Sequence, residues 1–324
     1  MSLLEACDRG EYPEVLSLLD NGADINAHND DKNGNTALIL ASIKGHIEVV
    51  RLLIARGANV HARNDSEETA LISVCQVDYD YEVYTEVARL LVQHGADVNA
   101  RADYDNTALI RASKQGQTDV VRLLIQHGAD VHAHNYYGYT ALMLASCEGH
   151  TEVVRLLIKH GADVHARDNE DQTALIFASY GQPEIVRLLI QHGADVNAHD
   201  IDGNTALILA ILEGHTKVAR LLIQHGADVN AHDNDGNTAL TLASCAGHTE
   251  VTRLLILYGA DVNARDNDGN TALTIASTHG YLDVVRILTE AIQSNAARLI
   301  QARWRFVRMQ YHKTTCSVRS RNET

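Results

Sequence analysis

The chain has 324 residues, a net charge of −15 and 45% hydrophobic residues, with five cysteines at no paired spacing. Dispersed, odd-numbered cysteines argue against a disulfide framework and for a reducing compartment, and charges interrupt every apolar run, so no transmembrane segment is expected. Residues 295–324 carry +6, which leaves −21 on the first 294; an acidic body of that kind repels nucleic-acid phosphates and favours basic partners.

Met1-Ser-Leu-Leu-Glu5 opens directly into repeat-like sequence, so no secretory leader is expected and the location is read as cytoplasmic, with the nucleus open. Residues 1–27 form a degenerate first unit. Aligning Gly10 with Gly45 sets Ser2 opposite Ala37 and Glu5 opposite Leu40, polar residues where a terminal cap needs them. From there Thr-Ala-Leu recurs at Thr36, Thr69, Thr107, Thr140, Thr173, Thr205, Thr238 and Thr271, at steps of 33, 38, 33, 33, 32, 33 and 33 residues. A fixed period in this range marks a stacked repeat array.

The unit 204–233 shows the physical logic. Thr205 is a suitable N-cap, Leu207, Ile208 and Ala210 supply an apolar face, and Gly214 breaks the first helix. Val218, Leu221 and Leu222 make a second amphipathic helix, and Gly226 stands where a helix stops in a left-handed residue. A polar loop follows, with Asp235-Gly236 as a hairpin-type turn signal. Each unit is therefore helix, turn, helix and projecting turn, and only stacking can bury its apolar faces.

The third unit departs from the period with five extra residues between its helices, within Cys75–Tyr84, where Tyr79, Tyr81 and Tyr84 alternate with Asp78, Asp80 and Glu82. Insertions in repeat arrays often lie on a working face, so these tyrosines are candidate partner contacts; a tolerated surface insertion is the other reading. Along the second helices an acid precedes an arginine by three residues, as in Glu48–Arg51 and Glu152–Arg155, and Lys217 before Arg220 breaks the rule. This stripe reads chiefly as a solvated outer face. Tyr104, Tyr136, Tyr137 and Tyr139 lie at or beside loop tips that are polar elsewhere, and exposed tyrosines give contact area at low entropic cost.

Eighteen histidines raise the question of metal. They sort by repeat register, and same-register residues lie one helix apart, about 8–10 Å, too far to share an ion. No metal is expected. Gly138 and Gly203 lie in turns, and neither GxxxxGK[ST] nor GxSxG occurs. The chain is read as non-enzymatic and without a cofactor.

In the last unit the expected Gly-Ala-Asp is missing after Leu288, so the helix is expected to run on towards Tyr311. Ile300, Trp304, Val307 and Tyr311 share a helical face ringed by arginines. With Ile300, Gln301 and Arg305 in place, residues 294–312 resemble a partial IQ motif, in which Phe306 and Gln310 depart from the pattern. That resemblance implies capture by calmodulin or a related EF-hand protein, with Ile300, Gln301, Trp304, Arg305 and Val307 as contacts. A cap over the last repeat and attachment to an acidic surface are alternatives. Residues 313–324 read as a disordered tail.

The recurring Gly-x-Thr-Ala-Leu, Gly-His and Gly-Ala-Asp-Val-Asn-Ala signatures, matched through most of residues 1–290, resemble the ankyrin-repeat family. The resemblance implies an all-α solenoid of about nine units over residues 1–293. The family's Thr-Pro-Leu-His is here Thr-Ala-Leu followed by Ile39, Met143, Arg111 or Thr241, so histidine bracing between loops is expected to be absent. In this family hairpin tips and inner helices form the binding groove, which adds Tyr180 to the candidate contacts. The implied function is a monomeric, non-catalytic scaffold or adaptor that holds a basic segment of another protein, with a calcium/calmodulin-regulated adaptor as the alternative. Family members also undergo asparaginyl hydroxylation in the loop, at positions matched by Asn26, Asn99, Asn197, Asn230 and Asn263; a side chain bridging its own turn is the structural alternative.

Overall fold

The computed structural model describes residues 1–29, 33–76 and 81–294, with Tyr81 described only in its backbone. The IQ-like segment and the tail after it lie outside the described residues, as does Tyr79. Two compact blocks divide at Ile201 and Asp202.

The N-terminal block alternates first and second helices. These are α1 (Leu3–Arg9), α2 (Tyr12–Asp20), α3 (Ala37–Ile43), α4 (Ile47–Ala55), α5 (Ala70–Val74) and α6 (Tyr81–Gln93). After a 3₁₀ turn at Asp103–Asp105 come α7 (Ala108–Lys114), α8 (Thr118–Gln126), α9 (Ala141–Glu148), α10 (Thr151–Lys159), α11 (Ala174–Ala178) and α12 (Pro183–Gln191). First helices pack on first helices and second on second, so the block is two helical layers. The C-terminal block repeats the plan with α13 (Ala206–Leu212), α14 (Thr216–Gln224), α15 (Ala239–Cys245), α16 (Thr249–Leu257) and α17 (Ala272–His279), followed by a helix over 282–294. Among the described residues there are no strands, only isolated bridges at loop bases such as His134–Thr140 and His232–Thr238.

The N-caps fall where the sequence puts them. Every Thr of the Thr-Ala-Leu series has extended backbone, and its hydroxyl accepts the N–H three residues on at 3.3–3.4 Å. In the first unit Ser2 takes this place, and with Glu5 it closes a capping box rather than presenting an inward polar face. The first helices between the two terminal ones are short and largely buried: Ala37, Leu38, Ile39, Ala41 and Ser42 are buried in α3, and the same offsets are buried in α7. In α7 it is Ile110 that follows Thr-Ala-Leu; Arg111 stands one place further on.

Bracing between repeats is present, through residues other than the missing family histidine. In several repeats a residue just ahead of the second helix, or in its first turn, reaches back to a carbonyl at the end of the previous repeat's first helix. His46 donates to Asp8 O at 3.1 Å, Tyr84 to Ile43 O at 3.0 Å and His150 to Lys114 O at 2.8 Å. Loop asparagines add a second brace: Asn99 accepts from Asp130 N–H at 2.8 Å and Asn230 from Asp261 N–H at 2.8 Å, each in the following repeat. The turn itself is closed by the aspartate two residues earlier, Asp97 for Asn99 and Asp228 for Asn230. These asparagines thus bridge to the next unit, not their own turn. On the outer face most of the acid–arginine pairs form, at 3.5 Å for Glu152–Arg155, while Arg220, lacking an acid before it, reaches Glu250 at 2.7 Å.

Candidate partner-binding surface

Loop tips in the N-terminal block are chained by backbone hydrogen bonds. Asp103 N–H donates to Ser66 O, Tyr136 N–H to Tyr104 O at 2.8 Å and Asn169 N–H to Tyr137 O at 3.1 Å. Asn169 also donates its amide to Tyr136 O. The close stacking requires glycine at 138, where φ is +84° and a Cβ would come within 2.8 Å of Asp168 Cα and Asn169 N. Consecutive tips are thereby fixed in register.

This register assembles a row of aromatic rings. Tyr104 stacks on Tyr137 at 5.9 Å between centroids and meets Tyr136 edge-on at 6.4 Å. Tyr136 and Tyr137 meet at 5.4 Å, Tyr137 stacks on Tyr139 at 5.8 Å, and Tyr139 meets Phe177 at 5.6 Å and 90°. Tyr104, Tyr136 and Tyr137 are 62%, 66% and 47% exposed, whereas Tyr139 is half-buried and Phe177 buried. The row therefore runs from solvent into the first-helix layer. Burial, then Asp168 and Glu170, pushes the Tyr139 phenol above its usual range.

Of the insertion tyrosines, Tyr84 is buried and its hydroxyl clasps Ile43 O, so it braces the fold instead of meeting a partner. The inserted residues lengthen α6 at its start and bring Val83 and Tyr84 over Gly45, the place His46 occupies over Gly10 one unit earlier. Tyr180 stands exposed just after α11. The five loop asparagines Asn26, Asn99, Asn197, Asn230 and Asn263 are all exposed.

Two features escape a reading by unit. The fourth residue after each capping threonine is Leu40, Ser73, Arg111, Leu144, Phe177, Leu209, Leu242 or Ile275, so Arg111 and Phe177 stand out only when that column is read across repeats. Arg111 forms a largely buried ion pair with Glu68 at 2.9 Å; Gln76 at 2.7 Å and Ser73 at 3.2 Å also donate to that carboxylate. Glu68, Ser73 and Gln76 of this network line an open depression of about 650 Å³, together with Ile43, Lys44, Asn64 and Tyr84 among others. A second depression of about 1280 Å³ lies on the outer layer among α4, α6 and α8, lined by Glu82, Glu86, Arg89, Asp119 and Arg122 among others. Among the described residues no cluster of His, Cys, Asp and Glu could hold a metal ion, and no helix is long and apolar enough to cross a membrane. Cys75, fully enclosed, has its thiol pushed up to about 12 by burial.

The family model for ankyrin repeats, in three-copy form, matches residues 3–102, 84–168, 165–233 and 228–298. The chain belongs to the ankyrin-repeat family. As a class, ankyrin repeats mediate protein–protein interaction. Human ankyrin repeat domain-containing protein 17 is 46% identical over 68 residues, 21% of this chain and 3% of its own length. Human M-phase phosphoprotein 8 is 34% identical over 77 residues, 24% of this chain and 9% of its length. The E3 ubiquitin-protein ligase XBAT33 of Arabidopsis thaliana is 35% identical over 74 residues, 23% of this chain and 14% of its length. The similarity is thus confined to two repeats' worth of sequence and spans a small fraction of each of these relatives.

Proposed function

We propose that this ankyrin-repeat chain is a non-catalytic docking scaffold whose N-terminal block holds an extended, basic segment of another protein along its loop tips and first helices. The observation that carries the reading is the row of exposed, mutually stacked tyrosines on adjacent tips, Tyr104, Tyr136 and Tyr137. Rings already held by neighbours lose little freedom on binding, which is what an anchor needs. The acidic balance of residues 1–294 selects for basic segments and speeds their encounter. The test is an array of extended peptides of graded charge against the full chain. Basic peptides bind, acidic ones do not, and the double variant Tyr104→Ser/Tyr136→Ser weakens binding roughly tenfold or more, one anchor's worth. Equal binding by wild type and double variant refutes the reading.

The calcium-regulated alternative rests on the residue pattern from Ile300 to Val307. Trp304 is the only tryptophan in the chain, so its emission reports directly on that segment. Calmodulin capture predicts a blue shift on addition of calmodulin with calcium; unchanged emission with calcium and with chelator removes this alternative.

A further inference from the structure

In five repeats the residue five places before the capping threonine, Asn64, Asn135, Asp168, Asp233 or Asp266, closes its loop in the same way, whereas Ala102 stands at this place before Thr107. One side-chain oxygen accepts the N–H groups two and four residues on: Asn64 from Ser66 and Glu68, Asn135 from Tyr137 and Tyr139, Asp168 from Glu170 and Gln172. The other terminal atom is where the repeats differ. Asn64 donates it to Asn35 at 2.9 Å and Asn135 to Asn106 at 3.2 Å, each in the preceding loop. Asp233 and Asp266 instead accept there from Asn237 and Asn270 of their own loops, at 3.0 and 3.1 Å. At Asp168 both solutions have been removed together. The preceding loop offers Tyr139 in place of Asn35 or Asn106, and its own loop offers Gln172 in place of Asn237 or Asn270. Its Oδ2 is buried without a hydrogen-bond partner, in a residue 7% exposed.

A carboxylate oxygen in that state lacks a donor or a positive charge. No basic side chain among the described residues pairs with it; the adjacent Arg167 is spent on the Asp171 and His199 carbonyls. The neighbouring tip packs directly against this loop, with Gly138 against Asp168 Cα and Tyr137 O accepting from Asn169 N–H, and it carries Tyr139, whose ring is held by contacts with Tyr137 and Phe177. Ring faces and a carboxylate both attract cations and both repel anions. Resting on the docking function above, we propose that Asp168 and the rings of Tyr137, Tyr139 and Phe177 form the receptor for one cationic side chain, a lysine or arginine, of the bound segment. Oδ2 is shut off from solvent in the free protein, so the incoming cation reaches it through a local opening of the loop. Because the first oxygen already accepts two N–H groups, the cation meets one free oxygen, a single-point contact that an ammonium or one arm of a guanidinium satisfies.

The test uses the full chain and three peptides alike except at the centre: lysine, arginine or norleucine in a Gly/Ser background. Binding is followed through the amide resonances of Glu170 and Gln172, which bond the other Asp168 oxygen. Asp168→Asn is the informative variant, because asparagine stands at this register in Asn64 and Asn135 and the loop accepts it. The lysine or arginine peptide moves both resonances, the norleucine peptide binds roughly tenfold more weakly, and Asp168→Asn loses a similar factor while its other amide shifts and melting show an intact fold. Norleucine binding as well as lysine and arginine, or Asp168→Asn binding as well as wild type, overturns the cation receptor while leaving the docking surface standing. If none of the three perturbs the wild-type resonances at millimolar concentration, the receptor falls. Loss of peptide-array binding in Tyr104→Ser/Tyr136→Ser separately decides the docking reading.

Discussion

At the scale of single residues, Asp168 shows how a repeat register can be kept and its chemistry changed. Burial raises its carboxyl above the usual range, with Asp171 and Asp200 adding to it, while the Gln172 and Glu170 N–H groups pull the other way. A folded-state value above the unfolded one means that folding takes up a proton just above the ordinary carboxylate range. The stability contributed by this group therefore rises as pH falls towards that range and is lost as pH climbs. Asp168→Asn removes the charged form's burial cost. The variant should melt higher than wild type near pH 7, and the gain should shrink as pH falls through the carboxylate range; thermal unfolding at a series of pH values checks both. A lower melting temperature at neutral pH would mean that a partner for Oδ2 exists in solution. None of this was legible from one unit: aspartate recurs at this place, and only comparison with residues 139 and 172 reveals that its partners are gone.

At the scale of elements, most of the fold was legible because the signals are local. Threonine caps, glycine stops and three-to-four spacing each act within a single turn or helix, and most units show them. The insertion was not legible for the opposite reason. Alternating tyrosines and acids at 78–84 look solvent-facing as a string, but the extra residues extend α6 and turn Tyr84 inward onto α3. Its hydroxyl does what His46 and His150 do elsewhere, so loss of that hydroxyl should leave Ile43 O unpaired and cost about 1 kcal/mol. Tyr84→Phe, compared with wild type by denaturant unfolding, checks this, with the loss accompanied by faster amide exchange in α3 and the start of α6. Unchanged stability would show that water satisfies the carbonyl. Bracing by Asn99 and Asn230 was likewise hidden, since a loop's neighbour in space is 29–31 residues away in the chain.

At the scale of the whole molecule, family membership is carried by the repeat period. The regular residues build two layers of helices within each block, and they are shared with relatives as different as M-phase phosphoprotein 8 and a plant ubiquitin ligase. Fold at this level does not choose a partner. On the docking reading proposed above, the departures do: aromatic tips where other tips are polar, Phe177 where other repeats carry a smaller side chain, and a carboxylate without its donor all fall in consecutive repeats of the N-terminal block. The most direct measurement is hydrogen exchange on the full chain with and without the tightest basic peptide from the array. The account predicts slowed exchange at tips 103–105, 136–139 and 169–172, with the outer-layer depression among α4, α6 and α8 and the whole of residues 202–294 unchanged. Protection centred on Glu82, Glu86 and Asp119, with the tyrosine tips untouched, would contradict it.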